Sequence, residues 1–318
     1  MRAIVVSIDF EMRWGVLDRV CNKFDAYRDN LLSVKNNIPW MLKIFEEREI
    51  CATWATVGAL GCDDWEGFNA FKPKMRPSYQ NPRMHYDNNF NLSLDPLGEM
   101  YFAHDLIKSI LRTPGQELGM HTFGHIYGTE RNVTYEEFIC DIQANINIFQ
   151  EKFGICPTSL VYPRNQVVYQ DALLNENLIQ TFRGNEDSSC YSAKSQREKK
   201  LLDRGRALLD SINPLVSYSN SFYSSSSVNI QSSAMLRIHM NYLIRKLHLL
   251  KLKSNISRLK SNEYYHIWFH PHNIGTSEAR KKDFINFFDF IGNLISKGQI
   301  QSENMHSMSE YIKKHQAI

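Results

Sequence analysis

Short apolar runs rich in β-branched residues recur along this 318-residue chain, with amphipathic stretches between them, and this alternation constrains the fold more than any other feature. The runs are "AIVVSID", "ICATWATVGAL", "SLVYP", "LIQTF" and "EYYHIWFH". Each reads as a strand buried on both faces, the kind that helices cover in a parallel sheet. Between them "PWMLKIFEERE" has helical spacing, with Asn36 and Asn37 ahead of it and Pro39 read as part of a first turn. "EMYFAHDLIKSILRT" is similar, and Pro114-Gly115 ends it. The clearest helix opens on a capping-box pattern, Thr134 with Glu137. It carries Phe138, Ile142, Ile146 and Phe149 on one face and stops at Gly154. A late helix spans "RKKDFINFFDFIGNLISKG". Strand alternating with helix from end to end predicts a parallel α/β fold with its site at the C-terminal ends of the strands.

Two segments break the rhythm. Residues 62–97 are rich in Asn, Pro and aromatics without periodicity and read as a long excursion or lid. A Ser-rich stretch, "SYSNSFYSSSSVNIQSS", precedes residues 235–260. That segment holds Arg237, Arg245, Lys246, Lys251, Lys253, Arg258 and Lys260 and no acid. It reads either as an amphipathic helix lying on a membrane surface or an acidic ligand, or as a barrel helix with a solvated basic face. The net charge of +3 is too mild to argue for nucleic-acid binding. No run of about 18 apolar residues suggests a transmembrane helix. "MRAIVVSIDF" reads as a strand and not a signal peptide. The six cysteines (Cys21, Cys51, Cys62, Cys140, Cys156, Cys190) are scattered with no C-x-x-C pair, so the expected setting is a reducing cytoplasm. Residues 1–318 are read as one domain.

Chemistry-bearing residues cluster at the ends of the predicted strands. In "SIDFEMRWG", Asp9 and Glu11 lie two apart, so both carboxylates leave an extended chain on the same face, and a metal ion or an arginine would relieve their repulsion. "QELGM" is a short strand candidate followed by "HTFGH", where Gly119 and Gly124 argue against a helix, but a strand-to-loop turn could fold His121 and His125 inward. Two imidazoles, a carboxylate and an open position suit a divalent ion such as Zn²⁺, although H-x-x-x-H alone is a weak signal. "EYYHIWFHPHNIG" places His270 at the last strand end as a candidate general acid. His266 reads as a satisfied wall residue and His272, after Pro271, as a surface residue. "SLVYPRNQV" adds Arg164, which either holds a carboxylate in a bidentate pair or pairs on the surface.

Together these motifs resemble the NodB-homology polysaccharide deacetylases, carbohydrate esterase family four. "SIDFE" is similar to the family's first motif, "HTFGH" to its His-[Ser/Thr]-x-x-His motif, "ATWATVGAL" to its second strand and "HIWFHPHNIG" to its last histidine motif. The likeness runs from about residue 2 to residue 275. It implies an α/β fold of the irregular (β/α)7-type barrel. It also implies a hydrolase that removes an acyl group, N-acetyl before others, from a sugar during cell-surface polysaccharide biosynthesis. Carried over, Asp9 is the general base, Glu11, His121 and His125 hold a divalent metal with Zn²⁺ the expected ion, and His270 protonates the leaving amine. Backbone amides near "YPRNQ" help hold the oxyanion. Three departures stand out. Asp-x-Glu replaces the usual adjacent aspartates or Asp-x-Asp, Arg164 is shifted within its motif, and "FRGNEDSSCY" is the best candidate for the fourth motif, with no role assigned to Arg183 or Asp187. The implied partner is an N-acetylated sugar or glycan carried on a nucleotide or lipid. A barrel that binds glycan without turnover, and an O-deacetylase on the same fold, are the competing readings.

Overall fold

The computed structural model describes residues 1–17, 24–88, 90, 95–188, 191, 201–222 and 228–316. Cys21, parts of the 62–97 excursion and of the Ser-rich stretch, and Ser189 and Cys190 of the fourth-motif candidate lie outside the described residues. The strands are β1 (Arg2–Phe10), β2 (Ala52–Thr56), β3 (Gln116–Met120), β4 (Ser159–Val161), β5 (Thr181–Arg183), β6 (Asn220–Ser221), β7 (Ala234–Met235), β8 (Glu263–Phe269) and β9 (Gln301–Glu303). The order β5-β4-β3-β2-β1-β8 is parallel throughout, and β6 adds an antiparallel pair at the start of β8.

The curled sheet is closed by residues 228–236, which include the end of the Ser-rich stretch. The Phe182 amide donates to Val228 O at 2.8 Å and the Ile230 amide to Phe182 O at 2.9 Å, so residues 228–232 run beside β5. The chain then crosses to β8, where Ser233 N donates to His266 O and Leu236 N to Trp268 O, both at 2.8 Å, with β7 parallel to β8. β1 to β5, this stretch and β8 are the staves of the irregular (β/α) barrel. Its closing stave carries "VNIQSSAML" and no long apolar run, because its pairing comes from backbone groups that any sequence supplies.

Strand alternation divides the core. On β1, Ile4, Val6 and Ile8 face outward into the layer of helices, while Ala3 and Val5 face inward with Ala55, Val161, Ile230 and Tyr264. Met305, Met308 and Ile312 of the helix Met305–Gln316 plug the lower end of the barrel. The inward series continues upward as Ser7 and Asp9, so the barrel is oily below and polar above.

Several boundaries differ from the sequence reading. The helix Val34–Glu47 starts earlier than the Asn pair suggested, so Pro39 lies inside it and Asn37 is a buried tie, donating to Ser33 Oγ at 3.1 Å and Gly275 O at 3.0 Å. The capping box of Thr134 and Glu137 forms as expected, ending at Gly154 in the left-handed region. The 62–97 excursion holds a helix, Trp65–Phe71, and its aromatic side chains pack with Trp14, Tyr86, Phe90 and Tyr101. It is pinned where Ser78 N donates to Glu137 Oε2 at 3.0 Å and the Tyr127 amide donates to Tyr79 Oη at 2.8 Å. In the 235–260 segment only Tyr242–Ser257 is helical.

Candidate metal centre

Alternation on β1 delivers Asp9 inward, and Glu11 follows two residues on with the same direction. The turn after it brings Gly15 against the Glu11 side chain: a Cβ there would lie 2.0 Å from the Glu11 carboxyl carbon. Only glycine leaves room for the carboxylate in this position. β3 ends at Met120, and His121 to His125 form a loop and not a helix, with Thr122 at φ 61° and His125 at φ 59°. Positive φ at two non-glycine residues costs on the order of 1–3 kcal/mol each, so the surroundings must hold the loop. Gly58 N and Ala59 N donate to Thr122 O and Phe123 O at 2.9 and 3.0 Å, and Asp141 accepts from the amides of Phe123 (2.5 Å) and Gly124 (3.2 Å).

The result is a buried group in which ligand atoms of Glu11, His121 and His125 lie within 4.8 Å of one another. His121 Nδ1 donates to Val161 O at 2.8 Å, which fixes the tautomer and leaves Nε2 with a lone pair. That Nε2 is buried without a hydrogen-bond partner and lies 3.4 Å from Glu11 Oε2. His125 Nε2 lies 3.0 Å from the same oxygen. Two imidazoles and a carboxylate converging on one point, with an orphaned buried nitrogen among them, fit a divalent cation and suit Zn²⁺ by donor type.

The other predicted residues divide. His270 Nε2 stands 3.4 Å from Glu11 Oε1 and 3.8 Å from Asp9 Oδ2, so these groups form one site. His270 is 18% exposed at its side chain against 7% or less for the others, which marks the open side. Arg164 has a left-handed backbone at φ 56°, and its guanidinium lies 4.2 Å from the Tyr127 ring centroid. The partner of Asp9 is Arg183, through Nη1 to Oδ1 at 2.6 Å and Nη2 to Oδ2 at 2.9 Å. Arg183 also donates to Ser7 Oγ and to Asn165 Oδ1, both at 2.9 Å, and lies over the Trp268 ring. The amides of Asn165 and Gln166 bond back to Tyr162 O and Pro163 O within their turn. His266 is the satisfied wall residue anticipated, bonded to Ile230 O and Ser7 Oγ. His272 is buried between Tyr27 and His270, not on the surface, because the turn after Pro271 folds it back.

No protein-family profile and no curated protein matches this sequence. Among solved structures, it superimposes on one described as a polysaccharide deacetylase from Mycobacterium smegmatis at a TM-score of 0.58. The identity is 13%, over 99% of this chain and 91% of that one. The fold is that of the polysaccharide deacetylases. More distant likenesses are the peptidoglycan deacetylase PdaC of Bacillus subtilis (TM-score 0.46, 11% identity, 99% and 93% coverage) and a CE4 family pseudoenzyme of Bacillus anthracis (0.45, 10%, 96% and 65%).

Within this deacetylase fold, the electrostatics follow from burial and pairing. Burial alone would raise Asp9, but the Arg183 guanidinium, with His121 and His270, holds it below the usual carboxylate range. Burial opposes ionisation of Glu11 too, and His270, His121 and His125 bring it well below that range. Burial lowers His125 despite Glu11 beside it, which keeps the ring neutral as a metal ligand must be. Burial pushes Asp141 up to about 7 against the amides it accepts from.

Arg183, Gly15 and Asp141 are the residues that sequence reasoning missed. Arg183 had one signal, a cation at the end of an apolar run; Asp141 had another, an acid beside the apolar stripe of its helix. Arg183→Ala would leave Asp9 buried without a counterion, and chemical denaturation is expected to show a loss of about 3–5 kcal/mol at neutral pH. The sign with pH follows from the lowered Asp9 value. The pair stabilises above the unfolded carboxyl pKa and its contribution disappears as pH falls through the folded one. The deficit of the variant therefore shrinks toward acid, where the neutral carboxyl needs no partner.

Proposed function

We propose that the protein is a metal-dependent hydrolase that removes an N-acyl group, acetyl before others, from a sugar. The observation that carries this reading is the buried Glu11–His121–His125 group with an unpartnered His121 Nε2, flanked on one side by Asp9 and His270. A bound divalent ion would supply Lewis acidity, polarising the acyl carbonyl and acidifying water. Asp9, ionised at neutral pH and fixed by Arg183, takes a proton from the attacking water. His270 Nε2 faces the carboxylates while Nδ1 lies 3.4 Å from Asn273 Nδ2, an arrangement suited to giving a proton to the leaving nitrogen as the C–N bond breaks. The products are a carboxylic acid and an amino sugar, so atoms and protons balance. The Tyr127 ring, 5.3 Å from that of His125, walls the site.

We place the substrate on a nucleotide or lipid carrier of cell-surface polysaccharide assembly, in the cytoplasm; the four described cysteines are free thiols, which suits a reducing compartment. Parallel assays on N-acetyl and O-acetyl hexosamine oligosaccharides test the reaction class. Acetate released from the amide at least tenfold faster than from the ester is the expected result. Release from the ester alone would assign an O-deacetylase, and release from neither would favour a barrel that only binds glycan.

A further inference from the structure

The helix Tyr242–Ser257 buries polar groups beside Leu249, Leu252 and Ile256 and leaves other leucines exposed. Its buried residues include Arg245, His248, Lys251 and Asn255, while Leu243 is 67% and Leu250 64% exposed, with Tyr242 and Leu247 beside them. The buried polar groups are well held. Arg245 Nε and Lys246 Nζ pair with Asp283, His248 Nδ1 donates to Ser211 O at 2.7 Å, and Lys251 Nζ donates to Asp210 O. These last two bonds seat the helix against the end of the helix Leu201–Ile212, which adds exposed Leu208 and Leu209, with Leu215 beyond it at 89%. Leu243, Leu247 and Leu250 follow one another at i, i+4 and i+7, so they form a single outward stripe. The exposed surroundings are basic: Arg206, Arg258 and Lys260 are exposed, and Lys246 is 40% exposed at its side chain.

We propose that this face docks the protein on an anionic lipid bilayer. An apolar stripe with cationic flanks is the pattern of a helix lying in a membrane interface, where leucines enter the acyl boundary and Lys or Arg meet anionic headgroups. A second copy of the chain fits less well, because a two-fold contact would set the same basic segment against itself. No described helix is long and apolar enough to cross a membrane, so the contact is peripheral. The face also adjoins the site. β7 runs parallel to β8, so the chain reaches this helix from the end of the barrel that carries His270. Arg280 then donates to His239 O at 3.3 Å and to Asn273 O at 3.4 Å, tying the turn before the helix to the loop beside His270. The turn that leads into the docking helix is thus joined to the His270 loop, which suits a substrate carried on a lipid. The docking surface goes beyond the proposed hydrolysis and is read without turnover, so either can fail alone.

The full-length protein is mixed with vesicles of phosphatidylglycerol and phosphatidylcholine, and with vesicles of phosphatidylcholine alone, then sedimented. The expected result is co-sedimentation with the anionic vesicles, weakened by salt. The variant Leu243→Ser/Leu247→Ser/Leu250→Ser should bind at least tenfold more weakly while keeping the wild-type melting temperature and metal content. Arg258→Glu/Lys260→Glu should weaken binding in low salt, and less so in high salt. Failure of the wild type to sediment with anionic vesicles, or equal binding by the leucine variant, would overturn the proposal. So would light scattering that shows a dimer broken by the leucine variant with no vesicle binding.

Discussion

Asp9→Asn is expected to lower kcat for N-deacylation by about 10²–10⁴-fold, the usual contribution of a general base. The variant should still bind one equivalent of divalent ion, because Asp9 lies outside the Glu11, His121 and His125 group. Its neighbours make the substitution informative. Asn keeps one oxygen for Arg183, so the cross-barrel contact is weakened and not removed, and the melting temperature checks that the fold survives. A variant that keeps its ion and its fold but loses turnover assigns Asp9 to proton transfer. If the variant turns over at the wild-type rate, the base lies elsewhere.

His121→Ala should have the larger effect, on both metal and activity. It removes the ring whose Nδ1 is fixed by Val161 O and whose Nε2 is left free, and it leaves Glu11 and His125 too few to hold the ion tightly. Deacylation should fall below detection and metal content should drop from about one equivalent to near zero. The control is His266→Ala. His266 lies in the same barrel, is held neutral by burial and is bonded on both nitrogens, so that variant should lose stability but keep its ion when folded.

Much of the barrel could be read in the sequence because β1, β2, β4, β5 and β8 fall on apolar runs that are buried almost throughout, while β3, with Gln116 and Glu117 partly exposed, shows only as the short segment "QELGM". The stave at 228–236 could not, since it is bound by backbone hydrogen bonds and carries serine and asparagine. The site was legible where spacing carried the information. Asp9 and Glu11 share a face by alternation, and His121 and His125 fall at the end of a strand. It was illegible where a partner came from elsewhere in the chain. Nothing local distinguishes Arg183 from Arg164 as the counterion of Asp9; the inward register of β5 makes the choice. Gly15 is explained only once the direction of Glu11 is known. In the helix Tyr242–Ser257 the basic and leucine series both have helical spacing, so sequence alone does not say which faces in. Asp283 and the carbonyls of Asp210 and Ser211 draw Arg245, His248 and Lys251 inward, while Arg258 and Lys260 stay exposed, so the basic series is divided between interior and surface.

Metal-dependent hydrolysis is tested most directly by a metal titration of the purified wild-type protein coupled to an acyl-release assay. The protein is stripped with a chelator, Zn²⁺ is added back, and acetate release from an N-acetylated hexosamine oligosaccharide is followed at each step. The predicted result is no release from the stripped protein and recovery that saturates at about one equivalent of Zn²⁺. Acetate release that survives complete stripping, or a folded protein that binds no divalent ion, would contradict it.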